Sequence, residues 1–278
     1  MDFRRIEKLL IFAFLLLNIF LVYVFVGKNS LLILPRIDQS QVNVAAEMKA
    51  DGIKFTDLSD EIRDLPLMRV PNEPLLTNEN TNFANQTVTL DGGNRLVSQL
   101  NTNIVLSKLT SDVSASEITN EMLAPLENFV NADNIVAGDS YQFFYYDAIN
   151  RRIHYIQFKD GNIPITDGTS ELIFHLDNNF NVSSYEQRLV ATMKTQGSAR
   201  KLISEKQAVE NLYLNDEISD QSTILRRTLG YNVTLPLTDM TVYTPVWCVV
   251  VAEQDGAISR HYVDGINGTI IQVEITNA

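Results

Sequence analysis

The sequence predicts an α+β protein in which an N-terminal transmembrane helix precedes an ectodomain of two related modules, each a helix packed on an antiparallel β-meander. Three observations lead to this prediction. Residues 9–26 are apolar with one exception. Two capping-box patterns, Ser114-x-x-Glu117 and Ser204-x-x-Gln207, each precede apolar residues at helical spacing. Each of these is followed by short β-branched and aromatic segments separated by turn residues, which is typical of a meander.

The apolar segment is long enough to cross a bilayer. Its 18 residues, at ~1.5 Å per residue, span ~27 Å, close to the ~30 Å thickness of the hydrocarbon layer. Asn18 is the one polar residue within it. Arg4, Arg5 and Lys8 precede it, so the positive-inside rule predicts a cytoplasmic N-terminus and an extracytoplasmic C-terminal bulk at the cell membrane.

A cleaved signal peptide is the main alternative for this segment. Signal peptides usually have an apolar region of ~7–15 residues that ends at a small-residue cleavage site. Here the run is longer and ends in bulky residues, and the only cysteine, Cys248, is far from any lipoprotein site. We therefore predict a retained anchor, with a cytoplasmic tail at 1–8, a span at 9–27 and a linker at 28–40.

The composition of the ectodomain limits its partners. Beyond residue 28 the chain has 18 Lys plus Arg and 32 Asp plus Glu, a net charge of −14. This charge argues against nucleic acid and anionic lipid as partners, since both are bound through clustered cations. A single cysteine allows no intramolecular disulfide, which suits a bacterial surface protein better than an animal secreted one.

The first predicted module covers residues 41–195. A short helix is indicated near 41–50, and the prolines of 64–86 indicate an irregular connection or edge strands. The helix after Ser114 contains Pro125, which should kink or split it. Strands are predicted at 141–147, 153–159, 172–176 and 182–189.

The second predicted module covers residues 196–278. Its helix follows Ser204, and its strands are predicted at 224–232, 246–252, 259–263 and 269–274. The turn sequence Tyr-Asp-Ala-Ile-Asn at 146–150 is similar to Val-Asp-Gly-Ile-Asn at 263–267. The repeated order favours duplication of one module, although a helix followed by hairpins is also a common arrangement by chance.

The residue patterns do not indicate a catalytic, cofactor or metal site. His154, His175 and His261 each stand alone among apolar strand residues, without the spacing of metal ligands. The sequence lacks the G-x-S-x-G pattern of a hydrolase nucleophile elbow. A Ser-His-Asp catalytic triad assembled from residues distant in the chain is an alternative that the sequence leaves open. Cys248 lies in an apolar strand and is expected to be a buried, inert thiol.

Two further patterns have structural interpretations. Aspartates that precede Gly, Asn or Ala in predicted turns are expected to accept Asx-turn hydrogen bonds rather than bind calcium. They are Asp147, Asp160, Asp177, Asp255 and Asp264. The aromatic segment 141–146 is expected to be a strand packed on both faces, because it lacks the basic residues of a nucleic-acid platform.

The chain resembles the YycI (WalI) family over essentially its whole length. The resemblance rests on the opening MDFRRIEK at 1–8, on Ala-Asp-Gly-Ile at 50–53, on the two meanders and on the closing Tyr-Val-Asp-Gly-Ile-Asn-Gly at 262–268. It implies a single-pass protein of a low-GC Gram-positive bacterium that regulates the essential sensor kinase WalK (YycG) of cell-wall homeostasis together with the sister protein YycH. It implies no catalytic motif.

The C-terminal module also resembles a PepSY module. Ile-Ser-Glu-Lys-Gln-Ala at 203–208 is similar to the start of its helix, and residues 262–270 are similar to its closing hairpin. The segment around 235–238 departs from that pattern. PepSY modules are associated with inhibition or assembly of partners, so this resemblance also implies binding rather than turnover.

Asn18 marks a candidate interaction face of the spanning helix. A buried amide in a membrane helix is usually turned toward another helix. The apolar residues on the same face are Ile11, Phe14, Leu15, Leu21, Val22 and Phe25. Without a G-x-x-x-G pattern, close self-dimerisation is not favoured. The hypothesis is that this face packs on a helix of WalK or YycH. The alternative is that Asn18 is tolerated without a role.

The leading functional prediction is therefore a membrane-anchored regulatory subunit that acts by contact. One alternative is an extracytoplasmic envelope enzyme or folding factor, which should show a cleft with convergent titratable residues. A second is a ligand-binding sensor ectodomain, because apolar pockets leave no spacing pattern in a sequence.

Overall fold

The computed structural model describes residues 11, 12, 14–18, 20, 43–158 and 163–272. The chain divides into two units, Met1–Ala46 and Glu47–Ala278. In the first unit the described residues between 11 and 20 are helical and exposed. The rest of the predicted span 9–27, the tail 1–8 and the linker 28–40 lie outside the described residues. No helix among the described residues has the length and apolar character needed to span a membrane.

The part of the chain described beyond residue 42 is mostly β, with few helices. The helices are α1 (Val44–Ala50), α2 (Asn120–Asn131) and α3 (Glu205–Leu214), with short 3-10 turns at Ala115–Glu117 and Gly138–Ser140. The strands before α3 are β1 (Asp64–Pro71), β2 (Gln86–Asp91), β3 (Arg95–Ile104), β4 (Tyr141–Asp147), β5 (Arg152–Gln157), β6 (Glu171–Leu176), β7 (Val182–Arg188) and β8 (Lys194–Lys201). Those after it are β9 (Thr223–Pro236), β10 (Met240–Ala252), β11 (Ile258–Asp264) and β12 (Ile270–Ile271).

The first sheet is antiparallel, with the strand order β2-β3-β7-β6-β5-β4. Helix α2 covers one of its faces. Leu123, Leu126 and Val130 of α2 are buried in one cluster with the aromatic rings of β5, β6 and β7, among them Tyr155 and Phe174. Alternate residues of these strands point away from α2, so the opposite face is available to a second layer.

The second sheet is built around the long strand β10. Strand β9 pairs along one edge of β10. The other edge is shared, with β11 on Val246–Ala252 and β1 on Met240–Tyr243. Beyond these, β12 pairs with β11 and β8 pairs with β1. The sheet is therefore antiparallel throughout.

The prediction of two modules, each a helix on its own meander, is not confirmed. Strand β1 precedes every strand of the first sheet in the chain, yet it pairs with β8 and β10 of the second sheet. The second sheet is therefore not formed by a contiguous segment. Local patterns could not reveal this, because the pairing of Met68 with Tyr243 joins residues far apart in sequence.

The helix predictions agree with the structure except for the start of the helix after Ser114 and the effect of Pro125. The Ser204 capping box is present, with Gln207 N donating to Ser204 Oγ (3.2 Å) and Ser204 N donating to Gln207 Oε1 (3.0 Å). The Ser114 capping box begins only a 3-10 turn, and α2 begins later, after Thr119. Pro125 lies inside α2 without splitting it, because the buried residues around it hold the helix on the sheet.

The two sheets pack face to face within the second unit. Phe144, Tyr145 and Ile156 of the first sheet are buried with Val246 and other residues of the second, a cluster completed by Cys248, Val250 and Tyr262. Tyr146 lies on the α2 side of the same strand β4. The prediction that segment 141–146 is a strand packed on both faces is therefore confirmed.

The predicted Asx turns are also present. In each, a backbone N–H donates to an aspartate Oδ1. Asn150 N reaches Asp147 (2.9 Å) and Asn179 N reaches Asp177 (2.7 Å). Ala257 N reaches Asp255 (2.9 Å) and Ile266 N reaches Asp264 (2.7 Å). Asp160 lies outside the described residues.

Candidate functional site

The proposed transmembrane face lies only partly within the described residues. Ile11, Phe14 and Leu15 are helical and exposed. Asn18 Nδ2 donates a 2.8 Å hydrogen bond to the backbone carbonyl of Phe14 in its own helix. This bond uses one of the two donor hydrogens of the amide, so it does not by itself satisfy the group. The remaining residues of the face and of its basic flank, Leu21, Val22, Phe25, Arg4, Arg5 and Lys8, lie outside the described residues.

A buried ion cluster joins the two sheets in the second unit. Glu171 on β6 and His154 on β5 are 3 % and 5 % exposed, and they lie diagonally across neighbouring strands. Glu171 Oε1 lies 2.8 Å from His154 Nδ1 and 3.2 Å from Arg260 Nη1. Arg260 belongs to β11 of the second sheet, so one carboxylate is shared between the sheets.

The charge state of Glu171 follows from its neighbours. Burial raises its pKa, but the positive charge of Arg260 and the contacts with His154 outweigh this effect, and the pKa falls to about 2. The carboxylate is therefore ionised at neutral pH. An ionised carboxylate only accepts hydrogen bonds, so His154 Nδ1 is the donor in this pair.

Aromatic side chains fix the geometry of the cluster. The ring of Tyr145 stacks on His154, with centroids 4.3 Å apart and an interplanar angle of 13°. The Arg260 guanidinium lies 5.7 Å from the centroid of Tyr145. The hydroxyl of Tyr262 donates to the carbonyl of Thr166 (2.6 Å). These contacts are typical of a structural ion pair that holds two layers in register.

Cys248 lies at the same sheet interface. It is fully buried beside Phe144 and Val246. Burial raises the pKa of its thiol to about 12. The thiol is therefore protonated at neutral pH, and a protonated thiol is a poor nucleophile and metal ligand. The prediction of a buried thiol is confirmed.

The other two histidines also contact glutamates. His175 Nε2 lies 3.3 Å from Glu186 Oε1, and His261 Nδ1 lies 3.5 Å from Glu217 Oε2. Burial lowers the pKa of both histidines, and the glutamates only partly offset it. Over the described ranges, no three His, Cys, Asp or Glu side chains are placed to hold a metal ion.

A groove of about 530 Å³ lies where β1 and the β9–β10 hairpin meet the turn between β2 and β3. Its lining includes Arg95, Arg188, Thr169 and Tyr243. Arg95 is already paired with two carboxylates, those of Asp91 and Glu186. The Arg95 guanidinium is therefore engaged within the first sheet, by residues of β2 and β7.

The glutamate and arginine partners of the histidines carry no pattern in the sequence. Glu171 stands one residue before the strand predicted at 172–176. Extending the strand by one residue would have placed Glu171 and His175 on one face. Arg260 could not have been assigned to this cluster, because the contact depends on how the two sheets pack.

Comparisons with known proteins agree with the resemblance seen in the sequence. A model of the YycI protein family matches residues 33–266. No curated protein matches the chain.

Two solved structures show a distant likeness. An uncharacterized protein from Eubacterium rectale has 11% identity and a TM-score of 0.39, covering 80% of this chain and 89% of that one. The C-terminal domain of YpeB from Bacillus megaterium has 9% identity and a TM-score of 0.35, covering 83% of this chain and 93% of that one.

The family match spans most of the chain, so this protein belongs to the YycI family, which implies a regulator of the YycG (WalK) two-component system.

Proposed function

We propose that this protein is a non-enzymatic, single-pass membrane protein that modulates the sensor kinase WalK (YycG). It acts through transmembrane and extracytoplasmic contacts with the kinase and with YycH. The observation that carries the proposal is the family match over residues 33–266. The apolar segment 9–26 and its basic flank support an anchor with a cytoplasmic N-terminus.

The chemistry of the described ectodomain supports a role in binding. The buried Glu171 carboxylate is engaged in structural contacts with His154 and Arg260. The Cys248 thiol is protonated at neutral pH, because burial raises its pKa. These structural contacts are compatible with a regulator that acts through its surface.

A membrane pull-down tests this function. The full-length protein carries a C-terminal affinity tag in its own host, and proteins that co-purify in mild detergent are identified by mass spectrometry. WalK and YycH are expected, each enriched over an unrelated tagged single-pass protein at the same level. Enrichment of neither would overturn the proposal.

Replacing the spanning segment tests the transmembrane contacts separately from the ectodomain contacts. In this variant, residues 9–26 are replaced by an unrelated anchor at matched protein level. Partial loss of co-purification is expected, because the ectodomain contacts remain. Unchanged co-purification and kinase output would remove the helix from the mechanism.

A further inference from the structure

Strand β8 is an unusual edge of the second sheet. All eight of its residues, Lys194–Lys201, are exposed. It pairs on one side with β1, and no other described strand pairs with its outer edge. In a β-strand the N–H and C=O groups of alternate residues point to opposite sides. About half of the backbone groups of β8 therefore face outward, where another strand could bind them.

The side chains of β8 make this edge positive. Lys194, Arg200 and Lys201 are its charged residues, and no acidic residue occurs between Glu186 and Glu205. The chain as a whole has a net charge of −12. The positive edge is therefore a local exception on an acidic protein.

The positive charges of β8 are only partly offset by their neighbours on β1. Lys194 lies opposite Arg69 in the register, and Lys201 lies opposite Asp64. Like charges directly opposite each other are unfavourable in a sheet. The described ion pairs include none from Lys194, Arg200 or Lys201.

Lysines and bulges on an edge strand also discourage indiscriminate pairing. Strand β8 has both features, since its register with β1 shifts between Leu65 and Leu67, and Gly197 has a φ of +77°. The same charges would repel a basic or neutral apolar strand and attract an acidic one. Protection against aggregation and selection of one kind of partner are therefore compatible.

We infer that β8 is a docking edge for an extended, acidic segment of a partner protein, which adds as a further strand to the second sheet. The inference rests on the proposed function, since the partner is sought within the same regulatory complex. A peptide is favoured over an anionic polymer, because outward N–H and C=O groups need both acceptors and donors. A polyanion offers only acceptors.

The positions of the charges define the segment further. Lys194 lies at one end of β8 and Arg200 with Lys201 at the other. Because of the bulge, these ends face positions of β1 that are only four to five residues apart, ~13–17 Å at ~3.3 Å per residue. The residues between them are small or uncharged, namely Thr195, Gln196, Gly197, Ser198 and Ala199. The complementary segment would carry acidic residues about four or five positions apart, separated by side chains without positive charge.

Photo-crosslinking in the full-length, membrane-inserted protein tests this inference. A benzophenone amino acid replaces Thr195 or Ser198 on β8, and Thr102, an exposed residue of β3 in the first sheet, serves as the control site. Cross-linked peptides are sequenced by mass spectrometry. Adducts from the β8 sites to an acidic, extended segment of WalK or YycH are expected, with a yield that falls as ionic strength rises.

Charge reversal provides a matched control. The triple variant Lys194→Glu, Arg200→Glu and Lys201→Glu should lower the adduct yield about tenfold, since three exposed charge pairs are reversed. The control variant Lys49→Glu, Lys54→Glu and Lys108→Glu changes three exposed lysines elsewhere by the same total charge. Its yield should stay within about twofold of the unaltered protein. The neutral variant with Gln at the three β8 positions should give an intermediate yield.

Several outcomes would overturn the docking edge. One is an adduct yield at the β8 sites no higher than at Thr102. Another is an adduct to a segment without acidic residues, to a second copy of this chain or to an envelope polymer. The last is an equal adduct yield from the two triple variants. If WalK and YycH still co-purify in any of these cases, the proposed function stands and only the docking edge is lost. If co-purification is also absent, the proposed function fails independently.

Discussion

Glu171 and Arg260 form an ion pair, with 3.2 Å between Oε1 and Nη1, that connects the two sheets of the second unit. Arg226 makes a second connection, since its Nε donates to the Phe144 carbonyl across the same interface (2.9 Å). Both arginines come from the second sheet and both acceptors from the first. The relative position of the sheets therefore depends on a small number of polar contacts set within an apolar layer.

Removing Arg260 should weaken the interface between the sheets. Arg260→Ala removes the arginine partner of the buried Glu171 carboxylate, and breaking a buried ion pair costs about 3 kcal/mol. Urea denaturation of the purified protein, followed by tryptophan fluorescence, should show the loss. Lys108→Ala is the matched control, because its pairing with Glu121 is exposed on both sides, and it should leave the midpoint unchanged. An Arg260→Ala midpoint equal to that of the control would contradict the role of the pair.

Acidification should destabilise the protein through Glu171. Its pKa is lowered in the folded state from 4.5 to about 2. A lowered carboxyl pKa gives stability that is complete above pH ~4.5 and is lost as pH falls toward ~2, in total about 3 kcal/mol. Glu171→Gln should have a lower free energy of unfolding than the wild type at pH 7 and should lose less of it between pH ~4.5 and pH ~2. Parallel curves of unfolding free energy against pH for the variant and the wild type would contradict the lowered pKa of Glu171.

The three histidines should not be essential for regulation. Burial lowers the pKa of His175 and of His261, so their neutral forms favour the folded state. That stability is present above pH ~6.5 and declines as pH falls below it. His175→Gln and His261→Gln should keep wild-type output of a WalK-dependent reporter and show a weaker pH dependence of melting near pH 6. Loss of output from a fully folded His154→Gln, His175→Gln or His261→Gln protein would count against a non-enzymatic regulator.

Asn18 should affect signalling more than its apolar neighbours do. Interhelical hydrogen bonds of membrane amides contribute ~0.6 kcal/mol on average, enough to fix the rotation of a helix but not to hold a complex. Asn18→Leu removes the amide and its bond to the Phe14 carbonyl. Reporter output is expected to change in this variant and to remain at the wild-type level in Leu16→Ala, at matched protein levels. Identical wild-type output from both would leave Asn18 without a role.

The sequence predicted the features that are encoded in the residue pattern of a short segment. The capping box at Ser204, the Asx turns and the two-sided burial of segment 141–146 are all present in the structure. Family membership could also be predicted, since the quoted motifs extend along the chain. Caps and turns are satisfied within about four residues, so the residues that form them lie close together in the sequence.

Only the tertiary structure decided how the strands are shared and which charges meet. Strand β1 belongs to the second sheet because its backbone pairs with β8 and β10, and nothing in its own sequence identifies those partners. Glu171, His154 and Arg260 meet because two sheets pack face to face. Strand pairing and sheet packing join residues that are distant in the chain, whereas periodicity reports only the local conformation and which face is apolar.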